Sequence, residues 1–373
     1  MAPDLSLAMT PQRRLFAHFP WHLLFVALAI SALGVWNLAS ASRTAHAPVW
    51  ISQSWWMGVG LMIAFSTTLF DQRTFLRFAW VFYAAVVVLL VLVHTNGRYV
   101  MGARRWLTIG PVNFQPSELA KIAVALAMAR WLHMDADKRK DGYGVVSLAV
   151  PLLITLVPAV LVLKQPDLGT ALVICSVGFT QILFAKVKWK TLASLAAVAV
   201  IGATFAYPHL KPYQKKRVET FLNPAADTLG AGYHATQSMI AVGSGQGVGK
   251  GWAQGTQTYF SFLPEQHTDF VFSVYAEEHG FVGCLVAVLL YLGLVTSALG
   301  IAGNARDRFG FFLAIGLTGM LFWQIFVNMG MVIGILPVVG VTLPLFSYGG
   351  SSVVAIYMAL GLLANVGMRR FVN

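Results

Sequence analysis

The stretch Leu263–Gly280, LPEQHTDFVFSVYAEEHG, passes from a polar turn into an apolar run that continues to position 302. It holds Glu265, Asp269, Glu277 and Glu278, four of the fourteen acids in the chain. A membrane-crossing helix needs about 20 mostly apolar residues, and 270–302 exceeds that. The run is continuous rather than alternating, so it reads as a helix and not as a barrel strand. The question it sets is why acids gather where a loop enters such a segment.

Working outward, the whole chain has the same character. It is 57% hydrophobic and 11% charged, with a mean hydropathy of +0.70, whereas soluble domains carry about 25% charge. Only helices or closed barrels satisfy the backbone in lipid. The expected fold is an all-α membrane protein of about ten transmembrane helices, over 20–41, 50–70, 77–95, 117–134, 144–163, 168–186, 189–207, 270–302, 309–336 and 345–368. A long extracytoplasmic loop, about 208–269, separates spans seven and eight, and 1–373 forms a single polytopic membrane domain. The first twenty residues lack a compact apolar core followed by a cleavage site, so the first span is expected to act as its own insertion signal. Cys175 and Cys284 both lie in apolar runs and read as packing residues. The histidines are scattered, which speaks against a structural metal.

Lys and Arg in the short loops set the orientation. With the N-terminus in the cytoplasm, Arg13, Arg14, Arg73, Arg77, Arg130, Lys138, Arg139, Lys140, Lys186, Lys188, Lys190, Arg306, Arg308, Arg369 and Arg370 fall on the inner side. The outer side holds Arg43, Arg98, Arg104, Arg105, Lys164, Lys211, Lys215, Lys216, Arg217 and Lys250. The bias places both termini inside. The outer cations cluster before span four and in the long loop, either as solvated loop charge or as a surface for an anionic ligand such as a lipid phosphate, to which the guanidinium fork bonds well.

Several segments carry polar chemistry. In GARRWLTIGPVNFQPSELAK, Gly102–Lys121, the Gln115-Pro116-Ser117-Glu118 step reads as a helix start. Glu118 and Lys121 then share one helical face, as a local ion pair or as a buried pair facing a cavity. Asp167, in the short connection Lys164–Thr170, either caps the next helix or joins an outer polar site with Lys164. Lys211–Phe221 is basic with an apolar stripe and reads as an interfacial helix. The run GSGQGVGKGW, Gly243–Trp252, lacks the spacing of a phosphate loop and reads instead as a flexible, ligand-approaching loop. No nucleotide and no nucleic acid are expected. In NMGMVIGILPVVGVTLPLFSYGGSS, Asn328–Ser352, prolines and glycines break the apolar run, and broken backbone at membrane depth is tolerated only against protein or a cavity. Asp269 either caps span eight or faces a cavity. Glu277 would lie roughly 10–12 Å deeper at about 1.5 Å per residue, and adjacent glutamates point about 100° apart, so at most one of Glu277 and Glu278 shares that cavity. A carboxylate in a partly dry cavity gains proton affinity and suits a general base.

Taken together, GARRWLTIGPVNFQPSELAK, KQPDLGTAL, GYHATQSMIAVGSGQGVGKGW, FLPEQHTDFVFSVYAEEHGFVG and NMGMVIGILPVVGVTLPLFSYGGSS resemble the SEDS family (shape, elongation, division and sporulation), most closely its RodA-like branch. The resemblance implies a peptidoglycan glycosyltransferase that polymerises lipid II during cell elongation, at the outer face of the bacterial cytoplasmic (inner) membrane. It implies a class B penicillin-binding protein, a transpeptidase, as partner, within an elongation complex of membrane proteins and among membrane lipids. The family's catalytic aspartate lands on Asp269, in His267-Thr268-Asp269-Phe270, and its Glu and Lys land on Glu118 and Lys121. Arg98, Arg104, Arg105, Asp167, His267 and Ser347 complete the expected substrate-binding set. A divalent cation, Mg or Mn, is compatible with this chemistry, with its ligands unassigned. His279 departs from the family pattern, which carries an apolar residue there. Two rival readings are a lipid II flippase, which would need a polar path to the inner leaflet, and a non-catalytic scaffold that activates a penicillin-binding protein.

Overall fold

The computed structural model describes residues 18–43, 48–100, 103–110, 112–135, 142–209, 212–223, 227, 230–260, 262–263 and 265–371. The expectations resting on residues 1–17, Lys138, Arg139, Lys140 and Lys211 lie outside the described residues. The chain runs α1 (Trp21–Ala41), α2 (Val49–Leu69), α3 (Gln72–Asn96), then strands β1 (Arg98–Val100), β2 (Ala103–Ile109) and β3 (Val112–Phe114). It continues with α4 (Pro116–Asp135), α5 (Ala149–Lys164), α6 (Leu168–Phe184), α7 (Trp189–Ala206), α8 (Pro212–Leu222) and α9 (Ala231–Ser244). The last elements are α10 (Val271–Gly303), α11 (Arg308–Val332) and α12 (Gly350–Met368). Among the described residues, six helices are long and apolar enough to cross a membrane: α1, α3, α5 with its leading turn, α10, α11 and α12. The molecule is an all-α membrane protein apart from one small sheet.

That sheet corrects the sequence reading. The three strands form an antiparallel ribbon in the order β1-β2-β3. Leu107 pairs with Phe114 and Ile109 with Val112 across the turn at Gly110, whose φ is +60°.

Side chains set the helix starts. Pro116, with φ already fixed, opens α4. Asp167 caps α6 by accepting from Thr170 N at 3.2 Å, and Asp307 caps α11 through Gly310 N at 2.7 Å. Buried amides tie the helices together. Gln181 Nε2 on α6 donates to Ala125 O on α4 and Phe312 O on α11, both at 2.9 Å. Asn37 on α1 donates to Val271 O on α10 at 2.9 Å, and Asn365 on α12 donates to Thr67 O at the end of α2 at 2.9 Å. In an apolar solvent such bonds contribute on the order of 0.6 kcal/mol each, so packing of small residues carries most of the association. α4 shows this: Ala120, Ala123, Ala125, Ala127 and Ala129 are all at most 1% exposed, bringing α3, α6 and α11 close. Large apolar side chains point outward instead, such as Trp55 at 75% and Phe25 at 64% exposed. In water they would be a liability; here lipid is the solvent.

The segment before α10 is more ordered than a loop, since it contains α8 and α9. α10 itself is broken at Gly280, with φ 61° and ψ −160°. An unbroken helix would bond Phe281 N to Glu277 O and Val282 N to Glu278 O. Here Phe281 N and Val282 N donate to Gln246 O and Gly247 O, while Glu277 O and Glu278 O accept from Lys250 N and Gly251 N, all at 2.8–3.0 Å. The glycine-rich segment is thus spliced into the helix ladder, so the four backbone groups that the break would orphan keep partners. Its reading as a flexible, ligand-approaching loop is corrected.

Candidate active site

Asp269 lies in a turn closed by Thr268 N and Phe270 N, which donate to Glu265 O at 3.1 and 3.3 Å. Three contacts fix this turn. Asn328 on α11 donates to Asp269 O at 2.9 Å and to Val341 O at 2.7 Å. Ser347 Oγ donates to Thr268 O at 2.6 Å and accepts from Leu343 N at 2.8 Å. Tyr348 N donates to His267 O at 2.8 Å. The irregular segment between α11 and α12, expected from its prolines and glycines, therefore serves as the wall against which the aspartate is held.

The Asp269 carboxylate itself has no hydrogen-bond partner among the described residues. It does not cap α10, whose N-cap is Phe270 with no side-chain bond, so the capping alternative falls away. Gly340, at φ +75°, passes close beside it: a Cβ there would stand 3.3 Å from Asp269 Oδ2. Asp269 is half-buried, deep in the protein yet open to solvent on one side. Loss of water pushes its pKa up to about 6, Glu265 and Asp167 add to the rise, and Arg105 and Arg217 oppose it.

The structure places the other expected residues at different distances from this carboxylate. Asp167 and Arg105 are brought within electrostatic reach of Asp269. Asp167 is buried, caps α6, and accepts from Gln115 Nε2 at 3.3 Å. Arg105 reaches from β2 to Gln165 O at 3.2 Å and to Pro166 O, fixing the ribbon to the α5–α6 connection. Glu118 and Lys121 form a buried pair at 2.9 Å inside α4, with side chains 7% and 3% exposed. His267 packs its ring on Tyr348, centroids 6.2 Å apart. Ser347 is spent on the scaffold described above. Arg98 and Arg104 stand on the exposed part of the ribbon, and Arg104 donates to Thr95 O at 3.1 Å.

Glu277 and Glu278 are both committed elsewhere, within the expectation that at most one could share the cavity of Asp269. Glu277 Oε1 accepts from Lys250 Nζ at 2.6 Å, Thr256 N at 2.9 Å and Gln257 N at 3.2 Å. Glu278 accepts from Ser40 of α1. Glu277 thus holds the spliced segment, while Glu278 ties α10 to α1. His279 stacks on Tyr275 at 4.5 Å, away from this chemistry.

Sequence reading missed Arg217, Asn328 and Gln115 as parts of the site. Arg217 donates to Val339 O at 3.2 Å from α8; its signal was there in the basic cluster of the long loop. Asn328, an amide in an apolar run, and Gln115, next to Pro116, were visible but unassigned.

The donor set does not fit a protein-held divalent metal. No group of three or more His, Cys, Asp or Glu that could hold one occurs among the described residues. Glu118 is committed to Lys121 and Asp167 to its cap.

Fold and site together define a polytopic membrane enzyme whose carboxylate can take a proton next to arginines that favour an anion. The family model described as cell cycle protein, of the FtsW/RodA/SpoVE type, matches residues 15–371. The chain is 40% identical over 353 residues to the peptidoglycan glycosyltransferase MrdB of Escherichia coli (strain K12), covering 93% of this chain and 92% of that one. It is 33% identical to the peptidoglycan glycosyltransferase RodA of Treponema pallidum, covering 94% and 98%. Among solved structures, a chain of a peptidoglycan synthase complex that coordinates polymerization and crosslinking superposes with a TM-score of 0.82 at 36% identity, covering 95% and 99%. The rod shape determining protein RodA of Thermus thermophilus gives 0.70 at 34%, covering 95% and 98%. The chain belongs to the FtsW/RodA/SpoVE family, and its enzyme class is peptidoglycan glycosyltransferase.

Proposed function

We propose that this chain extends glycan strands from lipid II at the outer face of the bacterial inner membrane during elongation, with Asp269 as general base. The observation that carries this is a carboxylate fixed by its backbone, free of hydrogen-bond partners among the described residues, with its pKa pushed up to about 6 beside Arg105 and Arg217. The acceptor sugar hydroxyl gives its proton to Asp269 as its oxygen attacks the anomeric carbon of the donor. The bond from that carbon to the lipid diphosphate breaks, and an α-linked donor becomes a β-linked product. Negative charge grows on the departing diphosphate, where Arg105 and Arg217 stabilise it. Lys121 and Glu118 pair within the first turns of α4, the helix that follows the ribbon. The base operates best with a pKa near the working pH, and burial of Asp269 supplies that shift.

Ten spans with both termini in the cytoplasm put Asp269 on the outer side. A crosslinking transpeptidase of the penicillin-binding type is the partner this reading expects, and the likeness to a chain of a synthase complex supports it. The test is polymerisation of labelled lipid II by purified protein with its transpeptidase partner, comparing wild type with Asp269→Ala. A loss of about 10²–10⁴-fold is expected for removal of a general base. Equal strands from both would contradict the assignment.

A further inference from the structure

Gln53 stands in the second turn of α2 and is fully buried. A buried amide is costly unless both of its ends are bonded. Here both are. Nε2 donates to Ser347 O at 2.9 Å, and Oε1 accepts from Gly349 N at 3.2 Å. Those two backbone groups are two residues apart on one short segment. The residue between them faces the other way, since Tyr348 N donates to His267 O at 2.8 Å. Such alternation belongs to extended backbone, in which neighbouring residues direct their hydrogen-bonding groups to opposite edges. Ser347 adds a side-chain bond toward the same turn, from Oγ to Thr268 O at 2.6 Å. Residues 347–349 are therefore a strap, gripped on one edge by Gln53 and on the other by the backbone that leads into Asp269.

Packing puts Gln53 behind the strap. Its face of α2 continues through Trp56, Gly60 and Ala64 and lies against α12. A Cβ at Gly350 would stand 2.6 Å from Trp56, one at Gly60 would stand 2.6 Å from Tyr357, and one at Gly361 would stand 2.5 Å from Ala64 O. A seam with no room for a methyl group at three points fixes the height of Gln53 beside the strap. The far end of the seam carries an amide of the same kind. Asn365 donates to Thr67 O at 2.9 Å and Phe70 O at 2.8 Å, roughly 22 Å along α12 from its first residue. Only Gln53 is connected to the aspartate. Without it, Ser347 O and Gly349 N would be stranded in an apolar seam. The strap would shift to find partners and draw His267 and Thr268 with it. Misplacement of a reacting group by about 1 Å can cost about 10²-fold in rate.

We infer that Gln53 is a positioning residue for glycosyl transfer: it sets the Asp269 carboxylate through the strap 347–349, without touching substrate. The inference rests on Asp269 as the base.

The test compares Gln53→Met, which keeps the volume and removes both bonds, with Asn365→Leu, an equivalent lesion at the far end of the seam. Full-length protein with its transpeptidase partner is assayed for lipid II polymerisation. Gln53→Met should lower kcat at least about tenfold and leave KM within about threefold. Asn365→Leu should leave kcat within about twofold, because sites this far apart act independently. Equal kcat losses in the two variants would reduce Gln53 to a structural role and overturn the inference. Ser347→Ala cuts the strap from the turn, so the double variant with Gln53→Met should lose less than the product of the two single losses. A full product would also overturn it.

A second readout needs no activity. In a chain with Cys175→Ser, Cys284→Ser and Asp269→Cys, methyl methanethiosulfonate reports how firmly position 269 is held. Adding Gln53→Met should raise the modification rate at least about fivefold, since two hydrogen bonds that hold the strap are gone. Asn365→Leu should leave that rate unchanged. A rate unmoved by Gln53→Met would overturn the inference whatever the role of Asp269. A raised rate beside a fully active Asp269→Ala would instead sink the base assignment. Gln53→Asn withdraws the same amide by one methylene without setting an apolar group against two backbone dipoles. It should show both effects if Gln53→Met does not fold.

Discussion

Lys121 Nζ stands 2.9 Å from Glu118 Oε2, with both side chains nearly sealed from solvent. Removing one partner of such a pair strands the other charge, at a cost of about 3–5 kcal/mol. Lys121→Ala should therefore lower the thermal unfolding temperature of the detergent-purified protein markedly, and the double variant Glu118→Gln with Lys121→Met should recover most of it. Activity separates two roles: if the double variant regains stability but not polymerisation, the pair does more than fill space. The spacing of these residues was legible at once, because a three-residue step on a helix fixes their side. Asp269 was legible for a similar reason, as an acid at the mouth of an apolar run. The role of Ser347 was not. A serine looks the same in sequence whether its hydroxyl meets a ligand or, as here, Thr268 O. Arg98 and Arg104 were drawn in by proximity along the chain to Arg105, but side chains alternate across a strand, and only Arg105 turns toward the α5–α6 connection.

The break in α10 sets the behaviour of the element that carries the aspartate. Gly280 sits at φ +61°, and a Cβ there would lie 2.3 Å from Gly249 N, a backbone atom with no freedom to swing away. Gly280→Ala combines backbone strain with a clash, so a loss of at least about 2 kcal/mol is expected. The check is thermal unfolding in detergent, with Gly300→Ala, which meets nothing within 4 Å, as the control. Glu277 reinforces the same splice from its side chain, by collecting donors from Lys250 to Gln257. None of this could be read from periodicity. Both halves of α10 are apolar, so the pattern runs through the break, and the partner strand of backbone lies some thirty residues upstream. The β1–β3 ribbon escaped for the opposite reason: its strands are short, and its glycines and prolines read only as an absence of helix.

At the scale of the whole molecule, hydropathy located the helices because lipid leaves so few alternatives for a backbone. α2 and α4 are not among the six most evidently membrane-crossing helices, and they carry polar groups that face protein: Gln53, Glu118 and Lys121 are all buried. Orientation makes a separate prediction. In a chain with Cys175→Ser and Cys284→Ser, a membrane-impermeant maleimide added to intact spheroplasts should label Val248→Cys, at a residue 81% exposed. It should label Asn304→Cys, exposed in the α10–α11 turn, only after lysis. The reverse pattern would invert the proposed topology and put Asp269 on the wrong side for lipid II.

The proton affinity of Asp269 offers the most direct test of its role as base. The carboxylate must be ionised to accept the hydroxyl proton, and burial holds its pKa at about 6, above the ordinary carboxylate range. The measurement is kcat/KM for lipid II polymerisation between pH 5 and 8, with the Glu265→Gln variant alongside. Wild type should lose activity on the acid side, with an apparent pKa of about 6. Glu265 raises the proton affinity of Asp269, so its neutralisation should move that limb to lower pH. A profile flat down to pH 5, or a limb unmoved by Glu265→Gln, would contradict Asp269 as the general base.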